Sequence, residues 1–185
     1  ITKHNRAGKG LGVKLFHNEA ELKNYVNGED FKPSIDGITL VQEYIEAPDS
    51  SITRIEFVDR EILYALRVDT SSGFDLCPAD SCEKSEMDLS TVKQPGLELN
   101  ENPKFSIIEN FSTQPIAQNL VPRMKTLMKR VGIEVAAFEF ILDKDLNPFV
   151  YDINVNTNYN NAVEESSELS GFSAVANFLQ RVSKY

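Results

Sequence analysis

Two acids and an amide are spaced as a metal-dependent reaction would need them. Glu139 sits inside Val135-Ala136-Ala137-Phe138-Glu139-Phe140-Ile141-Leu142, an apolar setting for a carboxylate. Asp152 follows thirteen residues later in Phe149-Val150-Tyr151-Asp152-Ile153-Asn154, beyond a turn-forming stretch at 143–148. If the two segments pair as a hairpin, Glu139 and Asp152 fall at roughly opposed positions. Asp152 and Asn154, two apart, share one strand face. Adjacent carboxylates repel, or force one of the two to hold a proton. A hard divalent cation removes that conflict, and an all-oxygen set with no lysine close by suits Mg²⁺. A hairpin with its polar face in water fits the same pattern.

A second feature lies near the start. Gly8-Lys9-Gly10-Leu11-Gly12 places three glycines in five residues, with Lys3, Arg6 and Lys9 around them. Small residues let backbone N–H groups crowd round an anion, and the cations add charge, so the loop suits phosphate. It is not a Walker A loop, because no Gly-Lys-Ser/Thr ends it. It is not a dinucleotide fingerprint, because no helix follows directly. An ordinary glycine-rich hairpin with solvated basic residues is the alternative.

The elements that must carry these residues can be read from periodicity. The tail of a strand at 1–3 leads through the glycine loop into a strand at 12–16. Asn18 and Glu21 form a capping signature for a helix to about Val26. Strands are expected at 38–45, 52–58 and 62–68, joined as an antiparallel meander with a tight Asp59-Arg60 turn. Residues 69–110 have no sustained period, with a short helix expected near 84–90; segments this long are usually lids or insertions. Pro115 stands near the start of a helix whose apolar positions are Ile116, Leu120, Met124, Leu127, Met128 and Val131. Pro122 should bend or divide it. The hairpin of 133–142 and 149–153 follows, then an Asn-rich loop at 154–161. Phe172, Val175, Ala176, Leu179 and Val182 mark a final amphipathic helix.

Composition bounds the function. The chain has 185 residues, 41% hydrophobic and 25% charged, with a net charge of −9. Those proportions describe a folded protein rather than a disordered one, with room for about one domain. Apolar runs fall far short of the roughly 20 residues needed to span a bilayer. The acidity argues against a nucleic-acid binder, and no membrane association is expected. Nor does a secretory signal open the sequence, so the cytoplasm is the expected location. The charge is uneven: residues 69–110 hold nine acids and three bases, whereas the first fourteen residues hold four bases and no acid. A basic opening on an acidic chain indicates a local anion site.

Taken in order, these pieces resemble the ATP-grasp superfamily, in its amino-acid and peptide ligase branch. The resemblance rests on Lys3, the Gly8–Gly12 loop, the segment "LVQEYI" at 40–45, "TRIEF" at 53–57, then Glu139 and Asp152-Ile153-Asn154. It implies an α+β fold of antiparallel sheets with helices, the nucleotide lying between two lobes. Residues 1–45 would be part of the small nucleotide lobe, and 46–185 the larger lobe with an acidic insertion at 69–110. It implies ATP and Mg²⁺ (or Mn²⁺) as cofactors, with Lys3, Gly8, Lys9, Gly10 and Gly12 on phosphates. Gln42, Glu43, Tyr44 and Ile45 would hold adenine, and Glu46 or Asp49 the ribose. Glu139, Asp152 and Asn154 would be the metal ligands. Arg54 and Arg67 would face the γ-phosphate or the substrate carboxylate. The implied reaction joins a carboxylate to an amine through an acyl phosphate. A kinase- or carboxylase-type enzyme, or a non-catalytic nucleotide-binding module, is the alternative. The family also carries an upstream lysine and an N-terminal substrate domain, so the chain is expected to be the C-terminal part of a longer protein, partnered by that domain.

Other residues have weaker claims. Cys77 and Cys82 lack the companions a zinc site needs and read as ordinary thiols. His17 reads as a surface residue, and His4, beside Lys3, either touches phosphate or has no role in the site.

Overall fold

The computed structural model describes residues 1–6, 12–71 and 104–183. Gly8, Lys9, Gly10, Cys77, Cys82 and the helix expected near 84–90 lie outside the described residues.

The larger of two sheets grows from one hairpin. β-Branched and aromatic residues favour extended chain at Ser51–Val58 and Glu61–Asp69, and Asp59 and Arg60 turn the chain between them. Both turn residues have positive φ, 54° and 62°, as the right-handed twist of a two-residue hairpin requires. Neither is glycine, and the Arg60 backbone N–H donates to the Glu134 carbonyl at 3.0 Å, which ties the turn down. In chain order the strands are β1 (Thr2–His4), β2 (Thr39–Val41), β3 (Ser51–Val58), β4 (Glu61–Asp69), β5 (Phe105–Ile107), β6 (Val135–Leu142) and β7 (Pro148–Asn154). β1 and β2 pair alone. The other five lie in the order β5-β4-β3-β6-β7, with every pairing antiparallel.

Alternation divides this sheet into two faces with different chemistry. One face presents Ile55, Phe57, Ala65, Ala136, Phe138 and Phe140 to α2 (Pro115–Val131), which supplies Ala117, Leu120, Met124 and Met128. Those four recur three or four residues apart, the stripe of a helix that buries one side. Phe57 and Phe138 meet edge to face, 5.6 Å between centroids. The other face presents Ile52, Tyr64, Leu66 and Val68 to Tyr159 and to Val163 of α3 (Asn161–Ser167). The Asn160 side chain caps α3 by accepting from the Val163 N–H at 2.9 Å. α4 (Gly171–Val182) then packs against β3. At Gly171 a Cβ would come within 2.2 Å of the Tyr159 ring, so only glycine lets the ring lie against the start of α4.

The structure corrects several expectations. Residues 12–16 form no strand; Lys14 makes a single bridge to Thr2. The three-strand meander is a hairpin only, because β2 is three residues long and pairs with β1, while β6 takes the far side of β3. Pro122 does not divide α2. The carbonyl it leaves without an N–H partner is that of Gln118, and both residues are exposed, so water can serve it while the buried stripe holds the helix. Leu127 and Val131 are exposed rather than core. On α4 the deeply buried residue is Phe178, and Phe172, Leu179 and Val182 are exposed. β5 and α3 were not expected. The helix with the Asn18 cap, α1 (Glu19–Val26), forms as read: Asn18 Oδ1 accepts from the Glu21 N–H at 2.9 Å. Among the described residues no helix is long and apolar enough to cross a membrane.

Candidate functional site

Glu139 and Asp152 are direct cross-strand partners on β6 and β7. The register is shifted between Glu139 and Phe140, because Tyr151 is an extra residue on β7. Such a bulge breaks strict alternation and lets adjacent side chains reach one neighbourhood. Here the Tyr151 hydroxyl donates to Glu139 Oε2 at 2.9 Å while Asp152 faces the same strand position. Burial, reinforced by the Glu139 charge, pushes the Tyr151 hydroxyl well above its ordinary value and keeps it a proton donor.

Beneath this pair lies a buried ionic network. Arg54, on β3 opposite Glu139, is 3% exposed. Its Nη1 donates to Glu139 Oε1 at 2.7 Å and its Nε to Glu56 Oε1 at 2.7 Å. Its Nη2 donates to the Thr157 hydroxyl, which also lies 2.8 Å from Glu56 Oε2. Glu56 is 1% exposed. Desolvation raises the Glu56 carboxyl above its ordinary value even though Arg54 opposes the shift. Burial works against the charge on Arg54, but Glu56 and Glu139 outweigh it and hold its pKa above the usual arginine value. One guanidinium therefore serves two carboxylates, Glu56 and Glu139.

The outer end of the row is closed by a lysine. Lys3 Nζ, on β1, lies 2.6 Å from Asp152 Oδ1 and 5.8 Å from the centre of the Tyr151 ring. The expectation of a carboxylate pair with no lysine close by is thus corrected: the fold delivers one from the other sheet. β1 is held in place by the Thr2–Lys14 bridge and by the Ile1–Gln42 backbone bonds of 2.7 and 2.9 Å. Gly12 ends the glycine loop at φ 75°, and a Cβ there would stand 2.2 Å from the His4 ring, so backbone conformation and close approach both require glycine. His4 Nε2 lies 2.9 Å from the Lys32 carbonyl, which keeps the ring turned to that segment.

The remaining expected residues scatter. Asn154 follows Asp152 on β7, and its Oδ1 accepts from the Asn156 N–H at 2.9 Å. Arg67 is not brought to the site: Arg54 pairs with Leu66, so Arg67 points to the opposite face, where its Nη2 donates to the Asp49 carbonyl at 3.0 Å. Asp49 also accepts from the Ser51 hydroxyl at 2.6 Å. Gln42 continues from β2 and pairs with Ile1 through its backbone; Glu43 and Tyr44 are exposed, and Ile45 and Glu46 run on towards β3 without regular structure. Glu56, Tyr151 and Thr157 were missed by sequence reasoning. The one signal for Glu56 was an acid two residues from Arg54, on the same face of β3.

The donor set can be tested against a divalent cation. Among the described residues no group of three His, Cys, Asp or Glu side chains is placed to hold a metal. Glu139 and Asp152 face each other and Asn154 stands two residues on from Asp152 on the same strand, so an ion held there would take its remaining ligands from water or phosphate. That fits Mg²⁺, which is commonly bound through one or two carboxylates plus substrate phosphates. Glu139 already accepts from Arg54 and Tyr151, so Asp152, at the rim, is the more accessible of the two carboxylates.

No protein-family model matches the chain, and no curated protein sequence does. Solved structures do. It is similar to the ATP-grasp ligase PsnB, solved with a minimal precursor, at 16% identity and a TM-score of 0.47, over 76% of this chain and 35% of that one. It is similar to a RiPP-associated ATP-grasp ligase of Chryseobacterium gregarium, solved with ADP and a leader and core peptide, at 14% identity and a TM-score of 0.46, over 78% of this chain and 36% of that one. It is similar to the D-cycloserine synthetase DcsG at 17% identity and a TM-score of 0.43, over 79% and 42%. The chain spans about a third of the length of the first two.

Proposed function

We propose that this chain holds the metal and phosphate part of an ATP-dependent ligase that joins a carboxylate to an amine. The observation that carries the reading is the charged row Lys3–Asp152–Glu139–Arg54–Glu56, which crosses from the small sheet into the large one. Two adjacent carboxylates standing between two cations, at the junction of two sheets, suit a ligand that is itself a cation bound to a polyanion. In this reading residues 1–45 belong to the nucleotide lobe and 46–185 to the larger lobe.

Each residue then has a task. Lys3, with the Gly8–Gly12 loop and Lys9, neutralises phosphate oxygens. Asp152, Glu139 and Asn154 hold Mg²⁺ or Mn²⁺, which would offset phosphate charge as the γ-phosphoryl group moves. Arg54 acts from behind, holding Glu139 in orientation, so it is a positioning residue rather than a contact to substrate. Residues 42–45 offer backbone groups to adenine, and Asp49 or Glu46 would meet the ribose; Arg67 stays an expected substrate contact only if its pairing with Asp49 opens. In the proposed reaction a carboxylate oxygen bonds to the γ-phosphorus as ADP leaves. The amine nitrogen then bonds to the acyl carbon, phosphate leaves, and the nitrogen sheds a proton. Positioning and charge neutralisation supply most of the catalysis in such a transfer.

The test is binding of ATP with Mg²⁺ by calorimetry, for the parent and Asp152→Ala. The variant should keep its fold by circular dichroism and lose Mg²⁺-dependent ATP binding. A variant that binds Mg-ATP as tightly as the parent removes Asp152 from the site and the reading with it.

A further inference from the structure

Lys3 has two assignments that one ammonium group cannot fill together. The proposed function needs it on phosphate, and the structure has it on Asp152 at 2.6 Å. Asp152 is equally divided, between this lysine and a divalent cation. The geometry points to a counter-ion exchange, which rests on the function proposed above: the Lys3–Asp152 pair turns away free divalent cations and metal-free polyphosphates, and yields when both arrive as one chelate.

The argument is one of charge conservation at a partly buried place. The two side chains are 20% and 38% exposed. A cation alone must compete with the ammonium for Asp152, and displacing it leaves Lys3 beside the Tyr151 ring without that carboxylate. A polyphosphate alone can draw Lys3 away only by leaving Asp152 opposite Glu139, where like charges repel. The buried end cannot relieve this, because Arg54 is already divided between Glu139 and Glu56. A metal–phosphate chelate satisfies both partners at once: the phosphate takes Lys3 and the metal takes Asp152. No proton has to move. Only the lysine side chain has to swing, since the backbone of β1 is fixed by β2 and by the bridge to Lys14.

The exchange makes paired predictions of opposite sign, read on the 185-residue chain with Mn²⁺ and inorganic triphosphate as probes. Mn²⁺ binding is followed by electron paramagnetic resonance, and metal-free triphosphate binding by calorimetry in chelator. Lys3→Met should bind Mn²⁺ alone roughly fivefold more tightly than the parent, the strength of a partly exposed ion pair. Asp152→Asn should bind metal-free triphosphate roughly fivefold more tightly, for the same reason. Both should bind Mn²⁺–triphosphate more weakly than the parent does. Lys3→Gln serves in place of the methionine variant if circular dichroism shows that variant unfolded. If the parent binds the chelate but neither single-probe affinity rises, the exchange is wrong and the proposed function stands. If the parent does not bind the chelate, the proposed function fails and takes the exchange with it.

Discussion

Arg54→Met tests the buried network most directly. The substitution keeps most of the apolar stem and removes the one cation shared by Glu56 and Glu139, which are 1% and 7% exposed. Breaking a buried ion pair by deleting one partner costs about 3–5 kcal/mol, because the other charge stays behind unpaired. Here two carboxylates are stranded and Thr157 loses a donor, so the upper part of that range, about 5 kcal/mol, is expected. Against a typical total of about 5–15 kcal/mol this is a large fraction. With a urea slope of about 2 kcal/mol/M the unfolding midpoint should fall by about 2–2.5 M. The deficit should also depend on pH. Without Arg54, desolvation acts on Glu56 without that opposition and raises its folded pKa further above the unfolded value. Stability from such groups is present below the unfolded pKa and is lost as pH rises through the folded one. The variant should therefore come closest to the parent at acid pH and fall furthest behind near neutrality. Urea titrations at several pH values measure this. A loss under about 1 kcal/mol, the scale of an exposed pair, or a loss that does not change with pH, would refute the reasoning.

The remaining predictions concern single groups. Because burial raises the Glu56 carboxyl above its ordinary value of 4.5 even beside Arg54, the parent holds a stability term that is full below that value and fades as pH rises through the raised one. Glu56→Gln removes the term, so parent minus variant stability should decrease on raising the pH from 4.5; an increase would contradict the sign. Among the described residues the buried Tyr159 hydroxyl has no hydrogen-bond partner, and burial, with the Glu56 and Glu164 charges, pushes its pKa up to about 12. Tyr159→Phe should therefore raise stability by about 1 kcal/mol in thermal or urea unfolding, and a loss of that size would show that the hydroxyl is in fact satisfied.

Sequence spacing was enough to put Glu139 near Asp152, to cap α1 at Asn18, and to mark α2 by its apolar period, since all three are short-range consequences of local geometry. Register was not legible, because side-chain direction inverts with every residue and one extra residue inverts all that follow. Counted from the Phe57–Ile62 pair of the β3–β4 hairpin, Arg54 would face Ala65 and share its side with Arg67. The irregularity at Leu63 moves Arg54 opposite Leu66 and sends Arg67 to the α2 face. On β7 the same device acts the other way. Counted from Leu142–Pro148, Glu139 would face Tyr151, and the bulge at that tyrosine brings Asp152 opposite instead. The charges that complete the site come from far along the chain: Arg54 is 85 residues from Glu139, and Lys3 is 149 from Asp152. The sequence by itself determined which groups were available for metal and phosphate chemistry. Only the tertiary structure decided their partners, because a charge taken out of water must find its counter-charge wherever the fold brings one within reach.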